Sequence, residues 1–303
     1  MFKKLFITLG VIIGIIVVAG AGLAFYSYHS VKNTAEKIHD TDASAPKSES
    51  NQIKNQKPIS ILLLGVDERQ GDVGRSDTTI ILTLNPAKKT MQMISIPRDT
   101  RTEIVGKGTM NKINAAYAYG GPVMALNTVN KFANVNIKQY IRINMEGLAD
   151  LVDAVGGVTV NNKLDWIDEG YYKKGYHYKK GVITLDTGKK ALGYVRMRHL
   201  DPQGDFGRNQ RERDVIMAVI NKAASVKSVS HYMDILNAIQ DNVKTNLTFD
   251  DMKNIATNYR DSKDHIKQYE VQGTGGNING IYYLNVSDAE RQKVHNMVED
   301  MEK

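Results

Sequence analysis

The sequence predicts an α/β domain, a helix–sheet–helix sandwich, preceded by one N-terminal transmembrane helix. Two patterns lead to that reading. No residue from Leu5 to Tyr26 is charged. Further on, strand-length runs that are apolar on both faces, at Ile59–Leu64, Thr78–Leu84 and Thr90–Ile96, alternate with segments carrying a helical apolar stripe. Runs of that kind belong to a sheet covered on both sides.

The uncharged segment comes first. About 20 apolar residues span a bilayer core as a helix. Lys3 and Lys4 precede the run, which keeps the short N-terminus inside and sends the rest of the chain out. The small residues Ala19–Gly22 would also suit a cleavage site, but the apolar run continues past them through Leu23–Phe25. The expectation is a cytoplasmic tip and anchor over residues 1–28, single-pass in the cell membrane, with the domain extracellular. Residues 29–57 follow: a short helix candidate at Val31–His39, then Asp40–Lys57, rich in Ser, Asp, Asn, Gln and Lys. That composition reads as a flexible stalk. The folded domain is expected over 58–303.

Within it, Asn85–Lys88 turns the second strand into the third. Gly120–Gly121–Pro122 opens a helix with Val123, Leu126, Val129 and Phe132 on one stripe. Tyr140–Ile143 is a short strand, and Leu148–Val155 a helix stopped by Gly156. A long helix runs from about Arg208 to Lys222, another over Thr248–Tyr259, and a late strand over Ile281–Val286. Ser287–Glu290 is a capping box for a terminal helix. Gly273–Asn277 lacks a phosphate-loop lysine and reads as a plain loop, and Tyr171–Lys180 reads as a solvated hairpin or loop.

Composition narrows the chemistry. The chain has 303 residues, a formal net charge of +7 and no cysteine, which excludes disulfides and thiol catalysis. The positive balance favours anionic partners. No helix-turn-helix pattern or lysine-rich stripe accompanies it, so nucleic acid is not among the expected partners. The seven histidines show no zinc-ligand spacing.

Three polar clusters stand out. Asp67, Glu68 and Arg69 follow the first strand, and Arg75–Ser76–Asp77 precedes the second. Arg98, Asp99 and Arg101 follow the third. Ligands of open α/β sheets bind beyond the carboxyl ends of strands, although Asp and Gly also serve ordinary turns there. Arg98 is not a turn residue, so it weighs more. The last cluster is Arg196, Arg198 and His199, then Asp205, Arg208 and Arg211. If Val195–Arg198 is extended, Arg196 and Arg198 point the same way. Extending the apolar stripe of Val215 and Val219 backwards by four and seven residues from Val215 reaches Arg211 and Arg208, at a helix start that favours an anion. Arginine forks suit phosphate oxygens. Structural arginine–carboxylate pairs, with Asp205 as an N-cap, are the competing explanation.

These segments occur in an order that resembles the LytR–CpsA–Psr family of cell-envelope enzymes. The likeness rests on Leu64–Asp67, Arg75–Thr78, Ile96–Asp99, Lys112–Tyr117 with Gly120–Gly121, and Arg196–His199 with Asp205 and Arg208. The resemblance implies a phosphotransferase that moves an anionic glycopolymer, a wall teichoic acid or capsular polysaccharide, from a polyprenyl-pyrophosphate carrier onto peptidoglycan. It implies pyrophosphate contacts from Arg75, Arg98, Arg196, Arg198 and Arg208, Mg2+ at Asp67 and Asp77, Asp205 near the reacting centre, and an apolar channel for the prenyl tail. Arg101, Lys112 and Arg211 are expected to join the phosphate contacts, and Asp77, Arg98 and Asp205 are the expected catalytic residues. Glu212 departs from the family's expected glutamine and is left outside the site. A non-catalytic scaffold that binds lipid-linked polymer, or a polyprenyl-pyrophosphate hydrolase, are the alternatives.

Overall fold

In the computed structural model the described residues are 32–68 except 41 and 43, 73–225, 235 and 238–303. A six-stranded mixed sheet is the centre of the domain, in the order β11-β6-β1-β2-β3-β12. Here β1 is Ile59–Val66, β2 Ser76–Asn85, β3 Thr90–Ser95, β6 Gln139–Asn144, β11 Val243–Thr245 and β12 His265–Glu270. β2 runs antiparallel to both β1 and β3, whereas β6 runs parallel to β1.

Strand alternation sorts the side chains to two faces. On one face Leu62, Leu64 and Val66 join Ile81 and Ile94 beneath helix α1 (Ala115–Ala133) and the terminal helix α6 (Asp288–Glu302), through Leu126, Val129, Val294 and Val298. On the other, Ile59 and Ile61 join Ile80, Leu82, Leu84, Met91 and Met93. Met217 of helix α4 (Asp205–Ser225) and, beside them, Met252 and Ile255 of α5 (Phe249–Asn258) close that layer. Each large aliphatic side chain fully removed from water contributes about 1.5–3 kcal/mol. The expected helix–sheet–helix sandwich is therefore present, with the central strands β1, β2 and β3 buried on both faces.

A third apolar cluster stands beside the sandwich. It unites helix α2 (Met145–Ala154), strands β7 (Val158–Asn162) and β10 (Gly181–Leu185), helix α3 (Gly188–Arg196) and Val215 and Val219 of α4. Trp166 of β8 (Trp166–Ile167) stacks there on Tyr178 of β9 (His177–Tyr178), with ring centroids 4.8 Å apart.

Several local expectations change. α1 begins at Ala115 and is broken by Gly120 and Gly121, the latter at φ 63°, so Pro122 starts its second segment rather than the helix. Val195–Arg196 is the end of α3, capped at its start by Thr187, and is not extended. The glycine-rich 273–277 stretch is mostly strand β13 (Thr274–Ile278), paired with β14 (Ile281–Asn285). Cross-strand bonding overrides the weak strand preference of glycine there.

The stalk expected over 29–57 is also corrected where it is described. Residues 32–38 are helical, with Ala35 and Ile38 buried. Asp40 N–H donates to Thr245 O at 2.7 Å. Asn246 Nδ2 donates to Pro46 O at 2.8 Å, and Tyr259 Oη to Lys57 O at 2.6 Å. Ile53, on a short helix Ser50–Lys54, is fully buried against the α4 and α5 layer. A few well-spaced apolar side chains suffice to fix a segment that is polar on average. The anchor expected over 1–28 lies outside the described residues. Among the described residues no helix is long and apolar enough to cross a membrane.

Replacing Ile53 by Ala should lower stability by about 2–5 kcal/mol through the cavity it leaves. Urea unfolding of the soluble part reads this directly, and an unmoved midpoint would restore the free stalk.

Candidate active site

The site grows from an irregularity in the sheet. β1 and β2 pair regularly from Ile59 opposite Leu84 to Gly65 opposite Thr78, and then the register shifts so that Val66 faces Ser76. Asp77 is the extra residue of this bulge. Bulges re-aim a side chain out of the regular alternation, and the Asp77 carboxylate meets two arginines. Arg98 Nη1 donates to its Oδ1 at 3.0 Å, and Arg208 Nη1 to its Oδ2 at 3.4 Å.

Each arginine is held by its own element. Arg98 sits in the loop after β3, where the Asn114 N–H donates to the Arg98 carbonyl and the Ile113 N–H to that of Thr100. Leu284 N–H donates to Asp99 O at 2.9 Å, fastening the same loop to β14. Lys112 Nζ pairs with Asp99 at 2.6 Å. Arg208 lies in the first turn of α4, whose backbone adds positive potential. The result is a cationic pocket at the carboxyl ends of β1 and β3, with Asp77 inside it.

The remaining predicted residues divide. Arg75 is exposed just before β2, and its carbonyl accepts from Asp67 N–H at 3.1 Å. Asp67 is thus fixed at the end of β1, beside the bulge. Arg101 faces Lys112 in the hairpin of β4 (Arg101–Ile104) and β5 (Thr109–Lys112). Arg196 ends α3 and Arg198 follows it, exposed. Asp205 begins α4, and its side chain lies outside the described residues.

Arg211 is a correction. It is buried against Asp201, and its other nitrogens donate to the carbonyls of Tyr194 and Met197. Trp166 lies 5.7 Å beneath its guanidinium. A guanidinium so employed ties α4 to α3 instead of meeting phosphate. The backward extension of the helical stripe did point it inward, but into the third apolar cluster.

Sequence alone does not single out a second ionic group at the end of β1. Arg142 Nη2 pairs with Glu68 at 3.1 Å, and the Tyr117 hydroxyl lies within the influence of both charges. Burial, then the pull of Arg142 against the push of Glu68, leaves the Tyr117 hydroxyl above its ordinary range. An arginine within the apolar run Tyr140–Ile143 was the available signal.

Directly behind the cationic pocket, an apolar cavity of about 470 Å3 runs between the sheet and α4 and α5. Ile61, Leu63, Leu82 and Leu84 form its floor, and Ile216, Val219 and Ile220 part of its roof. From Thr78 to Leu84 it follows about 20 Å of strand. Its polar end is Gly65, Thr78 and Glu212. Any Cβ at Gly65 would come within 2.9 Å of Thr78 Cβ and 3.0 Å of Glu212 Oε1, so the missing side chain makes room for that carboxyl. Glu212 is only 3% exposed. Burial pushes its carboxyl above the ordinary range, against the opposing pull of the Thr78 hydroxyl and Arg208. The residue left outside the site therefore stands at its back wall.

Among the described residues, no group of three or more His, Cys, Asp or Glu side chains is placed to hold a metal ion. Magnesium commonly takes only one or two carboxylates and completes its shell with water and substrate phosphate. Asp67 and Asp77, at adjacent strand ends, fit that smaller requirement.

The LytR_cpsA_psr family model matches residues 25–300. The chain belongs to that family. The polyisoprenyl-teichoic acid–peptidoglycan teichoic acid transferase TagU of Bacillus subtilis is 46% identical over 288 residues, covering 95% of this chain and 92% of TagU. The crystal structure of B. subtilis TagU superposes with a TM-score of 0.66 at 42% identity, covering 82% of this chain and 98% of that one. A structure described as TagT bound to LIIa-WTA gives 0.71 at 30% identity, covering 82% and 92%. The mixed α/β architecture is thus that of the LytR–CpsA–Psr domain.

Within this LytR–CpsA–Psr site, Glu212 carries a sign that can be checked. A carboxyl whose folded pKa is raised favours the protonated fold, so stability is full below the unfolded pKa and is lost as pH rises through the folded one. Glu212→Gln removes that loss. Thermal melts should show little difference from the parent in acid and a growing advantage for the variant as pH rises. A gap that does not change with pH would mean that Glu212 is not held protonated.

Proposed function

We infer that this chain is a phosphotransferase that moves an anionic glycopolymer of the teichoic-acid class from a polyprenyl-pyrophosphate carrier onto peptidoglycan. The observation that carries the reading is the junction of the long apolar cavity with the Arg98–Asp77–Arg208 cluster. A prenyl chain suits the cavity, and each methylene buried there contributes about 0.8 kcal/mol. Its pyrophosphate would then sit at the mouth, among arginine forks.

The reaction follows from the charges. An acceptor hydroxyl oxygen attacks the phosphorus that bears the polymer, and the P–O bond to the prenyl phosphate breaks. The leaving prenyl phosphate takes the electron pair, and the hydroxyl proton departs. Such transfers depend on positioning and charge neutralisation more than on covalent help from the protein. Arg98 and Arg208 would hold phosphate oxygens before and during the bond change. Asp67 and Asp77 would hold Mg2+, which supplies further positive charge to the phosphate oxygens when bound.

Arg98→Ala should weaken both donor binding and turnover. Loss of one such charged contact costs about 2–4 kcal/mol, on the order of a hundredfold in rate. Arg98→Lys should rescue only in part, because an ammonium cannot make the forked contact. Asp77→Ala should abolish most of the magnesium-dependent turnover and leave donor binding largely intact. Single-turnover transfer and equilibrium binding across a magnesium titration separate these outcomes, and a parent-like rate from Asp77→Ala would overturn its assignment. Release of polymer into water without transfer would favour a hydrolase.

The reading also requires the domain to meet an external polymer. Residues 1–28 serve as the proposed anchor, single-pass in the cell membrane with the N-terminus cytoplasmic. Lys3, Lys4 and the uncharged run to Tyr26 support it. Protease added to cells stripped of their wall should digest the domain, and full protection would reverse the topology.

A further inference from the structure

A transfer between two large substrates needs two places for them, and helix α4 has a second lined face. Glu212, Ile216, Val219, Ile220 and Ala223 turn toward the apolar cavity. Phe206, Gly207, Gln210, Arg211 and Asp214 turn instead toward a separate polar cleft of about 500 Å3. Both sets recur at helical spacing, so one helix divides the two spaces. They meet at the helix start. Phe206 lines the cleft and also a small recess formed with Pro97, Arg98 and Asp99 of the cationic loop.

The chemistry of the cleft differs from that of the phosphate pocket. Its ionic lining is Asp201, Asp214 and Glu270 against Lys163 and Arg211, three carboxylates to two cations. With Arg213 bound to Glu270 the charges balance, so the cleft lacks the cationic excess of the Arg98 cluster and suits an uncharged, hydroxyl-rich ligand. Gln210 is pre-aimed: its Nε2 donates to Asp214 at 2.7 Å, and its Oε1 accepts from the buried Arg213 at 2.6 Å. Arg213 in turn donates to Glu270 at 3.1 Å. The other oxygen of Glu270 has no hydrogen-bond partner among the described residues. Exposed Gln203 stands at the rim, and Phe206, Pro202 and Leu164 supply apolar surface. Ordered amides and carboxylates with an aromatic wall match a saccharide, which presents hydroxyl edges and C–H faces.

We propose that this cleft is the acceptor subsite, where an uncharged glycan segment of the acceptor binds and delivers its hydroxyl past Phe206 to the phosphate at Arg98. The proposal rests on the transferase reading above. The test uses the full chain in detergent, a polyprenyl-pyrophosphate-linked polymer as donor and a peptidoglycan oligosaccharide as acceptor. In Asp214→Asn with Gln203→Ala the acceptor KM should rise about tenfold or more, as expected for lost hydrogen bonds in a lined site. Donor KM and melting temperature should stay at parent values. Gln203→Trp, a change at an exposed position that fills the cleft, should raise acceptor KM by itself without altering donor binding. Unchanged acceptor KM in both variants, or donor and acceptor KM rising together, overturns the cleft assignment while transfer by the parent still stands. A parent that transfers nothing to the acceptor sinks the transferase reading and the subsite with it.

Discussion

The contact of Asp77 with Arg98 and Arg208 is where the structure's separate parts come together. Asp77 belongs to β2, Arg98 to the loop after β3 and Arg208 to the start of α4, 131 residues from Asp77. One carboxylate bridging two guanidiniums keeps like charges close to one another, which they would otherwise resist. The side chains are only 13–19% exposed, so screening by salt is reduced. The helix that carries Arg208 goes on to form part of the roof of the apolar cavity and a wall of the polar cleft.

α4 therefore has three duties along its length. Its first turn supplies Arg208 and a favourable backbone potential. Arg211, one turn on, fastens the helix to the end of α3. Beyond it, Ile216, Val219 and Ile220 leave the cavity open on the sheet side. Removing one partner of the buried Arg211–Asp201 pair would leave an uncompensated charge, a penalty of about 3–5 kcal/mol. The arginines of this helix are thus of two kinds, and only burial and partners tell them apart.

Much of the fold was legible because it rests on periodicity. Ile59–Leu64 and its neighbours announce a doubly covered sheet, and the stripe of α1 announces one of its covers. Arg98 also stood out in the sequence, since a turn has no need of a guanidinium. What stayed hidden depends on long-range placement. A bulge is a mismatch between two strands, so no single run of residues displays it. Arg211 and Arg208 are three positions apart and chemically identical, yet one meets Asp201 and the other Asp77. Arg142 looked like part of a short strand, and its partner Glu68 lies 74 positions earlier on the adjoining strand's end. The packed segment around Ile53 was masked by its polar average, although a single buried side chain governs it.

The bulge at Asp77 constrains how this part of the chain can drift. Substitutions along β2 change one contact at a time, but loss of Asp77 would remove the extra residue, restore regular pairing with β1 and take away the carboxylate between Arg98 and Arg208. A residue gained there would widen the bulge and re-aim that carboxylate. Descendants of this sequence are therefore free to vary in composition here while remaining locked in length. Among distant relatives, the spacing from Arg75 into the strand should persist longer than the identity of the apolar residues that follow it.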